Sequence, residues 1–172
     1  MTYTLARYAL SIGGDYTITD ETGAKGYSVA GKFRIFAEAF SLRDAHINGL
    51  FTGCEQAWNL DQKFAISRDD MAYAMMLREM VSGYQKILGL ATYRYVVTLA
   101  TGEKSETNAP NSAFTSHWKL RWRDATVADL ETDGEVSEIS LASDAHDVPF
   151  VLTVVMVVVR LNQPSRTGST HD

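Results

Sequence analysis

Residues 147–161, DVPFVLTVVMVVVRL, form the most apolar segment of the sequence and constrain the fold most strongly. Ten apolar side chains lie between Val148 and Val159, and only Pro149 and Thr153 interrupt them. A segment of this composition is a membrane span, a buried strand or a buried helix. A helix needs about 20 apolar residues to cross a bilayer, whereas about 10–14 are typical of a buried core element. Length therefore argues against a membrane span and leaves the strand and the helix.

The composition is that of an ordinary globular domain. The chain has 172 residues, 45% of them hydrophobic and 22% charged, and one domain is the default at this length. The formal net charge is −5, which disfavours a nucleic-acid-binding protein, because such proteins are usually basic. Cys54 is the single cysteine, so an intrachain disulfide is excluded. Residues 1–16 lack the pattern of a signal peptide, and we expect a cytoplasmic protein.

A weak internal repeat runs through the chain. Its copies begin with an aromatic residue, followed by an aliphatic residue two positions on and an acidic residue shortly after. The copies start at Tyr16, Phe40, Phe64 and Trp118, and the first three are spaced by 24 residues. In the first copy, Tyr16 and Ile18 alternate with threonines, as in a half-buried strand, and Asp20 to Gly23 has the composition of a turn. Each copy is therefore predicted to be a β-hairpin.

The second and third hairpins are expected to turn at residues 44–49 and 68–70. Further strands are predicted at Tyr93–Leu99, Trp118–Arg123, Val127–Glu131 and Val136–Leu141. The polar residues 101–112 are predicted to form the longest loop. Many short strands with turns between them indicate an antiparallel sandwich or a closed barrel. Residues 71–88 are rich in helix-forming residues, and a helix there is the alternative to a return strand.

Four segments together resemble the LURP-one-related family of the tubby C-terminal-like superfamily. They are GDYTITDETGAKGYSVAGK at 14–32, FSLRD at 40–44, FAISRDDMAYAMM at 64–76 and the stretch at 147–161. The resemblance covers about residues 3–161. It implies a mainly β fold, in which a twelve-stranded antiparallel closed barrel of repeated hairpins surrounds a central buried C-terminal helix at about residues 144–161.

The helix is also the better interpretation of residues 147–161 on physical grounds. Nothing in the run alternates, and a helix that is apolar all round is a buried helix. Ser143, Asp144 or Asp147 could cap its start, Pro149 suits a first turn, and Arg160 suits the negative end of the helix dipole. Valine costs at most about 0.7 kcal/mol in a helix relative to alanine, whereas burying a valine gains about 1.5 kcal/mol or more. We therefore expect a buried helix, a single domain over residues 1–161 and a disordered tail at 162–172.

No motif names a reaction. The four histidines lack the spacing of a zinc site, and there is no Gly-rich phosphate loop and no nucleophile motif. The sequence therefore predicts no catalytic residue, no metal and no cofactor, and a protein that is not an enzyme.

The best candidate surface is WKLRWR, residues 118–123. On a strand, its two tryptophans and its leucine would face the core, and Lys119, Arg121 and Arg123 would form an outward basic row. Such a row suits a phosphate or a phospholipid head group, and the alternative is an ordinary solvated face that protects a sheet edge. Two departures from the resembled family count against a basic outer surface: Leu77-Arg78-Glu79 replaces a Lys-rich return strand, and residues 128–147 are acidic.

The sequence thus predicts a non-enzymatic tubby-like binding or scaffold domain. Its partner would be an anionic phospholipid or a protein, with peripheral contact to a membrane and no transmembrane segment. The resemblance supports a lipid partner, because tubby domains bind phosphoinositides and phospholipid scramblases are relatives. The alternatives are a barrel that binds a small apolar ligand or a lipid in a cavity, and a purely structural domain. The oligomeric state stays open.

Overall fold

Strands make up most of the part of the chain that is described, and one helix follows them. This computed structural model describes residues 1–7, 15–34, 37–56, 62–80, 92–110, 117–122, 125–133, 136–142 and 147–162. The strands are β1 Thr2–Arg7, β2 Tyr16–Asp20, β3 Lys25–Arg34, β4 Ala37–Asp44, β5 Gly49–Gln56, β6 Gln62–Arg68, β7 Met71–Met80, β8 Thr92–Leu99, β9 Lys104–Pro110, β10 His117–Trp122, β11 Ala125–Asp133 and β12 Val136–Leu141. The helix α1 spans Val148–Asn162.

The strands form one 12-stranded antiparallel sheet that curls into a nearly closed barrel. Its order is β10-β11-β12-β1-β2-β3-β4-β5-β6-β7-β8-β9, and backbone hydrogen bonds join each neighbouring pair. The two end strands, β9 and β10, lie side by side. The hairpin pattern allowed a sandwich or a barrel, and the chain forms the barrel. The twelve strands around a terminal helix confirm the predicted fold class.

The repeated hairpins are confirmed, and each copy turns the same residue inward. Tyr16, Phe40 and Phe64 open the three regularly spaced copies, and all three side chains are buried. The aliphatic residue two positions after each, such as Ile18 and Ile66, is buried as well. Because strand side chains alternate between faces, this period places one residue in two on the core side.

The helix α1 occupies the inside of the barrel. Every residue from Leu152 to Val158 has a fully buried side chain, and Thr153 donates its hydroxyl proton to the carbonyl of Pro149 at 2.8 Å. A helix apolar all round can be stable only where it is enclosed all round. The predicted buried helix is therefore confirmed. Its first residue is Val148 rather than one near 144, and residues 143–146 lie outside the described ranges.

One strand, β7, holds both ends of the helix. Asp147 caps the start, because its Oδ1 accepts a hydrogen bond from the Phe150 amide at 3.1 Å. The other oxygen, Oδ2, accepts a hydrogen bond from the Tyr73 hydroxyl at 3.0 Å. At the far end, Nη1 of Arg78 donates to the carbonyl oxygen of Leu161 at 3.2 Å. Terminal amide and carbonyl groups of a helix lack partners within the helix, so these contacts fix its position along the barrel axis.

The predicted long loop at residues 101–112 is wrong for most of its length, because Lys104–Pro110 is strand β9. Its sequence lacks strand-favouring residues, but it pairs with β8 from Lys104 to Pro110. Ser105 points inward and is buried, while its two neighbours are exposed. Pairing and burial thus overrode weak local propensity. The helix considered at 71–88 does not form over Met71–Met80, which is β7, and the rest of it lies outside the described residues.

Candidate functional site

Two residues of the basic row predicted on WKLRWR lie on β10 and face outward. Trp118 and Leu120 are buried against the core, and Lys119 and Arg121 are exposed, which confirms the alternation. The pairing with β11 shifts register between Leu120 and Arg121, so a β-bulge separates the two basic positions. Arg123 lies outside the described residues. The described part of the row therefore consists of Lys119 and Arg121.

An acidic residue on the next strand partly neutralises this row. Lys119 is opposite Asp129 in the β10–β11 register, and its Nζ lies 3.2 Å from Oδ2 of Asp129. The other carboxylate oxygen, Oδ1, lies 2.5 Å from Nε2 of His117. Beside them Glu131 is exposed, opposite His117. Half of the Lys119 side chain, 52%, is exposed, so this ion pair is at the surface.

Side chains bridge the junction between β9 and β10. Ser105 is buried, and its hydroxyl donates a short hydrogen bond to the backbone carbonyl of Arg121. The indole Nε1 of Trp122 donates to Oε1 of Glu103 at 2.8 Å. No backbone ladder joins β9 to β10 in the ranges that the structure describes. The basic row therefore lies on a strand that has a ladder on one side and a side-chain junction on the other.

Aromatic side chains close the barrel at the start of the helix. The ring of Phe150 lies 5.0 Å from that of Tyr73 and 5.9 Å from those of Phe51 and Trp122, measured between centroids. Arg68 covers this cluster from outside, with its guanidinium carbon 5.4 Å above the Phe51 ring. These edge-to-face and tilted contacts are favourable arrangements for aromatic rings. The cluster fills this end of the barrel with side chains.

Charged groups surround the helix cap in the same place. Nη1 of Arg68 lies 3.5 Å from Oδ2 of Asp147, the oxygen that also accepts the Tyr73 hydroxyl. Burial raises the pKa of Tyr73 above its ordinary value, and the hydrogen bond to Asp147 raises it further. Tyr73 is therefore a neutral donor at physiological pH. Its arrangement with Asp147 serves to hold the helix start, and sequence spacing alone did not pair residues that lie 74 positions apart.

The first two hairpins turn with the same geometry. Asp20 Oδ1 accepts the amides of Thr22 and Ala24, at 2.9 and 3.0 Å. Asp44 Oδ1 accepts the equivalent amides two and four positions on, at 2.9 and 2.8 Å. Side-chain hydrogen bonds, from Thr22 to Asp20 and from Asn48 to Asp44, lower the pKa of both carboxyls below the ordinary 3.8. These carboxylates are thus charged at neutral pH and engaged in turn formation.

Among the described residues, no group of three or more His, Cys, Asp or Glu side chains is arranged to hold a metal ion. Of the four histidines, His46 is at an exposed turn and His117 is beside Asp129, and the other two lie outside the described ranges. Within those ranges, no helix has both the length and the apolar character that a membrane crossing requires.

Sequence reasoning found the basic row but missed what surrounds it. The acidic partner Asp129 follows from the register of β10 on β11, which the bulge shifts. The hydrogen bond from Ser105 to the carbonyl of Arg121 starts in the segment that was predicted to be a loop. The acidic composition of residues 128–147 was the signal available in the sequence, and it indicated a less basic surface without locating the pair.

No family model and no curated protein matches this chain. Among solved structures, it is similar to the X-ray structure of a protein from Arabidopsis thaliana. The two share 14% sequence identity, and the match covers 94% of this chain and 92% of that one with a TM-score of 0.42.

Proposed function

We propose that this chain is a non-enzymatic, tubby-like binding or scaffold domain that works through its outer surface. The observation that supports this proposal is the filled interior. From Leu152 to Val158 the helix side chains are fully buried, and the wall residues facing them, such as Phe40 and Ile139, are buried as well. Among the described residues, side chains thus occupy the space beside this part of the helix, where a small apolar ligand would have to lie. We therefore favour an outside partner over a ligand cavity.

The candidate contact is an anionic phospholipid head group at the row of Lys119, Arg121 and Arg123. Exposed cations near an anionic membrane contribute about 1 kcal/mol each, and they act best in combination. An exposed ion pair such as that of Lys119 with Asp129 contributes about 0–1 kcal/mol, so a phosphate can displace the carboxylate at small cost. Asp129 still lowers the local positive potential. We expect binding to be weak and sensitive to salt.

Vesicle co-sedimentation tests this proposal. The wild type is expected to bind vesicles that contain anionic lipid and not neutral vesicles. Replacing all three residues, as Lys119→Glu/Arg121→Glu/Arg123→Glu, should abolish binding, and Asp129→Asn should increase it severalfold because it removes the competing charge. Equal and negligible binding by the wild type and the triple variant on both kinds of vesicle would refute the lipid contact.

A matched variant separates a local site from net charge. The chain carries a formal charge of −5, so any reversal of a cation weakens attraction to an anionic surface. Lys25→Glu/Lys63→Glu changes the net charge by the same amount as Lys119→Glu/Arg121→Glu, but it acts on β3 and β6. If the two double variants lose binding to the same extent, no specific row exists.

A further inference from the structure

The turns of the first two hairpins have the same backbone geometry but carry very different residues at the equivalent position. Gly23 has φ of 79°, and Ile47, one repeat later, has φ of 69°. The Gly23 amide donates to the carbonyl of Asp20 at 2.9 Å, and the Ile47 amide donates to that of Asp44 at 3.1 Å. The turns are therefore equivalent, and the fold accepts glycine at this position.

Isoleucine is an unfavourable choice at this position for two reasons. A β-branched side chain is strained in the left-handed region, where glycine is not. In addition, 66% of the Ile47 surface is exposed to water, so burial does not compensate for the strain. Strained residues that the fold does not need are often found at functional sites.

A second exposed apolar residue lies on the next hairpin. Met71 follows the turn between β6 and β7 and is 73% exposed. Strand β5 pairs with β6, with Thr52 opposite Ser67. The β5–β6 pairing ends at Thr52 and Ser67, a few residues from the turns of the β4–β5 and β6–β7 hairpins, so both turns lie at the same end of the wall. At a strand spacing of about 4.8 Å, these tips are on the order of 10 Å apart.

Carboxylates flank this pair. Asp69 and Asp70 form the turn before Met71, and both are exposed. Asp44 begins the turn that holds Ile47. The cation Arg68 is close by but lies 3.5 Å from Asp147, which offsets its charge. Two exposed apolar side chains, Ile47 and Met71, thus lie on neighbouring tips, and the exposed carboxylates of Asp69 and Asp70 directly precede Met71.

We infer that the tips of the β4–β5 and β6–β7 hairpins, residues 44–49 and 68–72, form a docking surface for a basic segment of a partner protein with an aliphatic face. Ile47 and Met71 would contact the aliphatic face, and methionine adapts well to varied partners. Asp69 and Asp70 would face the lysines or arginines of the segment. Because like charges repel, the same carboxylates disfavour an anionic membrane here. This surface is distinct from the row on β10.

Stability and binding of the full chain test this inference together. Ile47→Gly transfers the residue of the first hairpin to the second. It relieves strain, so Tm is expected to stay level or to rise by about 2–4 °C, as for a gain of about 1 kcal/mol in a chain of this size. A lower Tm would assign Ile47 to the fold and overturn the inference.

The binding probe is a synthetic amphipathic peptide of leucines and lysines, compared with a peptide in which glutamates replace the lysines. We expect the wild type to bind the lysine peptide and not the glutamate peptide. Chemical-shift changes should be confined to the amides of residues 44–49 and 68–72. Ile47→Gly/Met71→Ser should weaken binding at least tenfold, and Asp69→Asn/Asp70→Asn should weaken it and reduce its salt dependence.

Val136→Ser is the matched control, because Val136 is also an exposed apolar residue, 46% exposed, but lies on β12. It should bind the peptide as the wild type does. Equal loss in the control, equal affinity for the two peptides, or shift changes centred elsewhere would each overturn the inference. Binding of the tips to anionic vesicles, lost in Ile47→Gly/Met71→Ser, would overturn it in favour of a lipid partner.

Discussion

At the junction of β11 and β12, backbone pairing runs without interruption from Ala128, opposite Leu141, to Asp133, opposite Val136. At the junction of β9 and β10, the bridging contacts that the structure describes are made by side chains, from Ser105 to the carbonyl of Arg121 and from Trp122 to Glu103. A ladder distributes its strength over many groups, whereas a side-chain junction depends on a few.

The difference indicates what keeps β9 and β10 in place. Trp118 and Leu120 of β10 are buried against the core, as is Ser105 of β9. Burial of the two apolar side chains contributes about 2 kcal/mol each or more, which is comparable to several backbone hydrogen bonds. The core around the helix therefore closes the barrel where the ladder ends. Four substitutions test the contrast between the two junctions.

Val155→Asp should have the largest effect, because the helix supports both kinds of junction. Val155 is fully buried. An unpaired charge there costs more free energy than a domain's entire free energy of unfolding, which is about 5–15 kcal/mol. We expect no cooperative unfolding transition by circular dichroism. The control is Val136→Asp on the exposed face of β12, which should fold. A folded Val155→Asp protein would mean that the wall closes without its helix.

Gly53→Ala tests the β4–β5 junction, which is joined by a backbone ladder, by adding a methyl group on the core side. Gly53 is opposite Phe40 in the β4–β5 register, and a Cβ on Gly53 would lie 2.5 Å from Cε1 of the fully buried Phe40 ring. Overpacking of this kind costs about 1–3 kcal/mol in the free energy of unfolding, measurable with urea. Gly49→Ala is the control, since its nearest neighbour would be 4.0 Å away. Equal losses would show that backbone freedom, and not ring packing, requires Gly53.

Ser105→Ala compares the two junctions directly with Ser137→Ala. Both serines are buried, and Ser137 shares a hydroxyl contact with Thr132 at 3.0 Å across a laddered pair. Loss of Ser105 leaves a carbonyl without its hydroxyl donor, at about 1–3 kcal/mol, whereas loss of Ser137 should cost less than about 1 kcal/mol.

Hydrogen exchange of the two serine variants tests the same point residue by residue. In Ser105→Ala, the amides of β9 and β10 should exchange faster than in the wild type, while those of β11 and β12 stay protected. If exchange rises equally in all four strands, or if Ser137→Ala costs as much stability, the side-chain junction is not a weak point of the wall.

Asp44→Asn should have the smallest effect on stability. The turn that Asp44 begins joins β4 and β5, and backbone hydrogen bonds pair these strands. The folded pKa of Asp44 is lowered, so its contribution is present above the ordinary 3.8 and is lost as the pH falls through the folded value. We expect a small fall in Tm at neutral pH that disappears in strong acid, by calorimetry at both pH values. A difference that persists in acid would indicate a role other than the carboxylate charge.

The local sequence pattern was sufficient to predict structure wherever the burial of individual side chains determines it. Alternation predicted that Tyr16 and Ile18 face inward, turn composition predicted the turn at Asp20 to Gly23, and continuous apolarity predicted a buried helix, which the structure starts at Val148. The number of strands and their closure around the helix came from the family resemblance. The charge surrounding the candidate site could not be predicted without the residues on the neighbouring strand, such as Asp129 opposite Lys119.

The hairpins, the inward faces and the need to enclose the helix follow from the amino-acid sequence, because each depends on residues close together in the chain. Three features required the folded chain: strand pairing at Lys104–Pro110, the position of Lys119 opposite Asp129, and the contacts of Tyr73 and Arg78 with the two helix ends. Those contacts depend on register and on closure, and a shift of one residue reverses every face of a strand. Long-range pairing, which no local pattern encodes, therefore decided which charged groups lie beside Lys119 on the outer face of the wall.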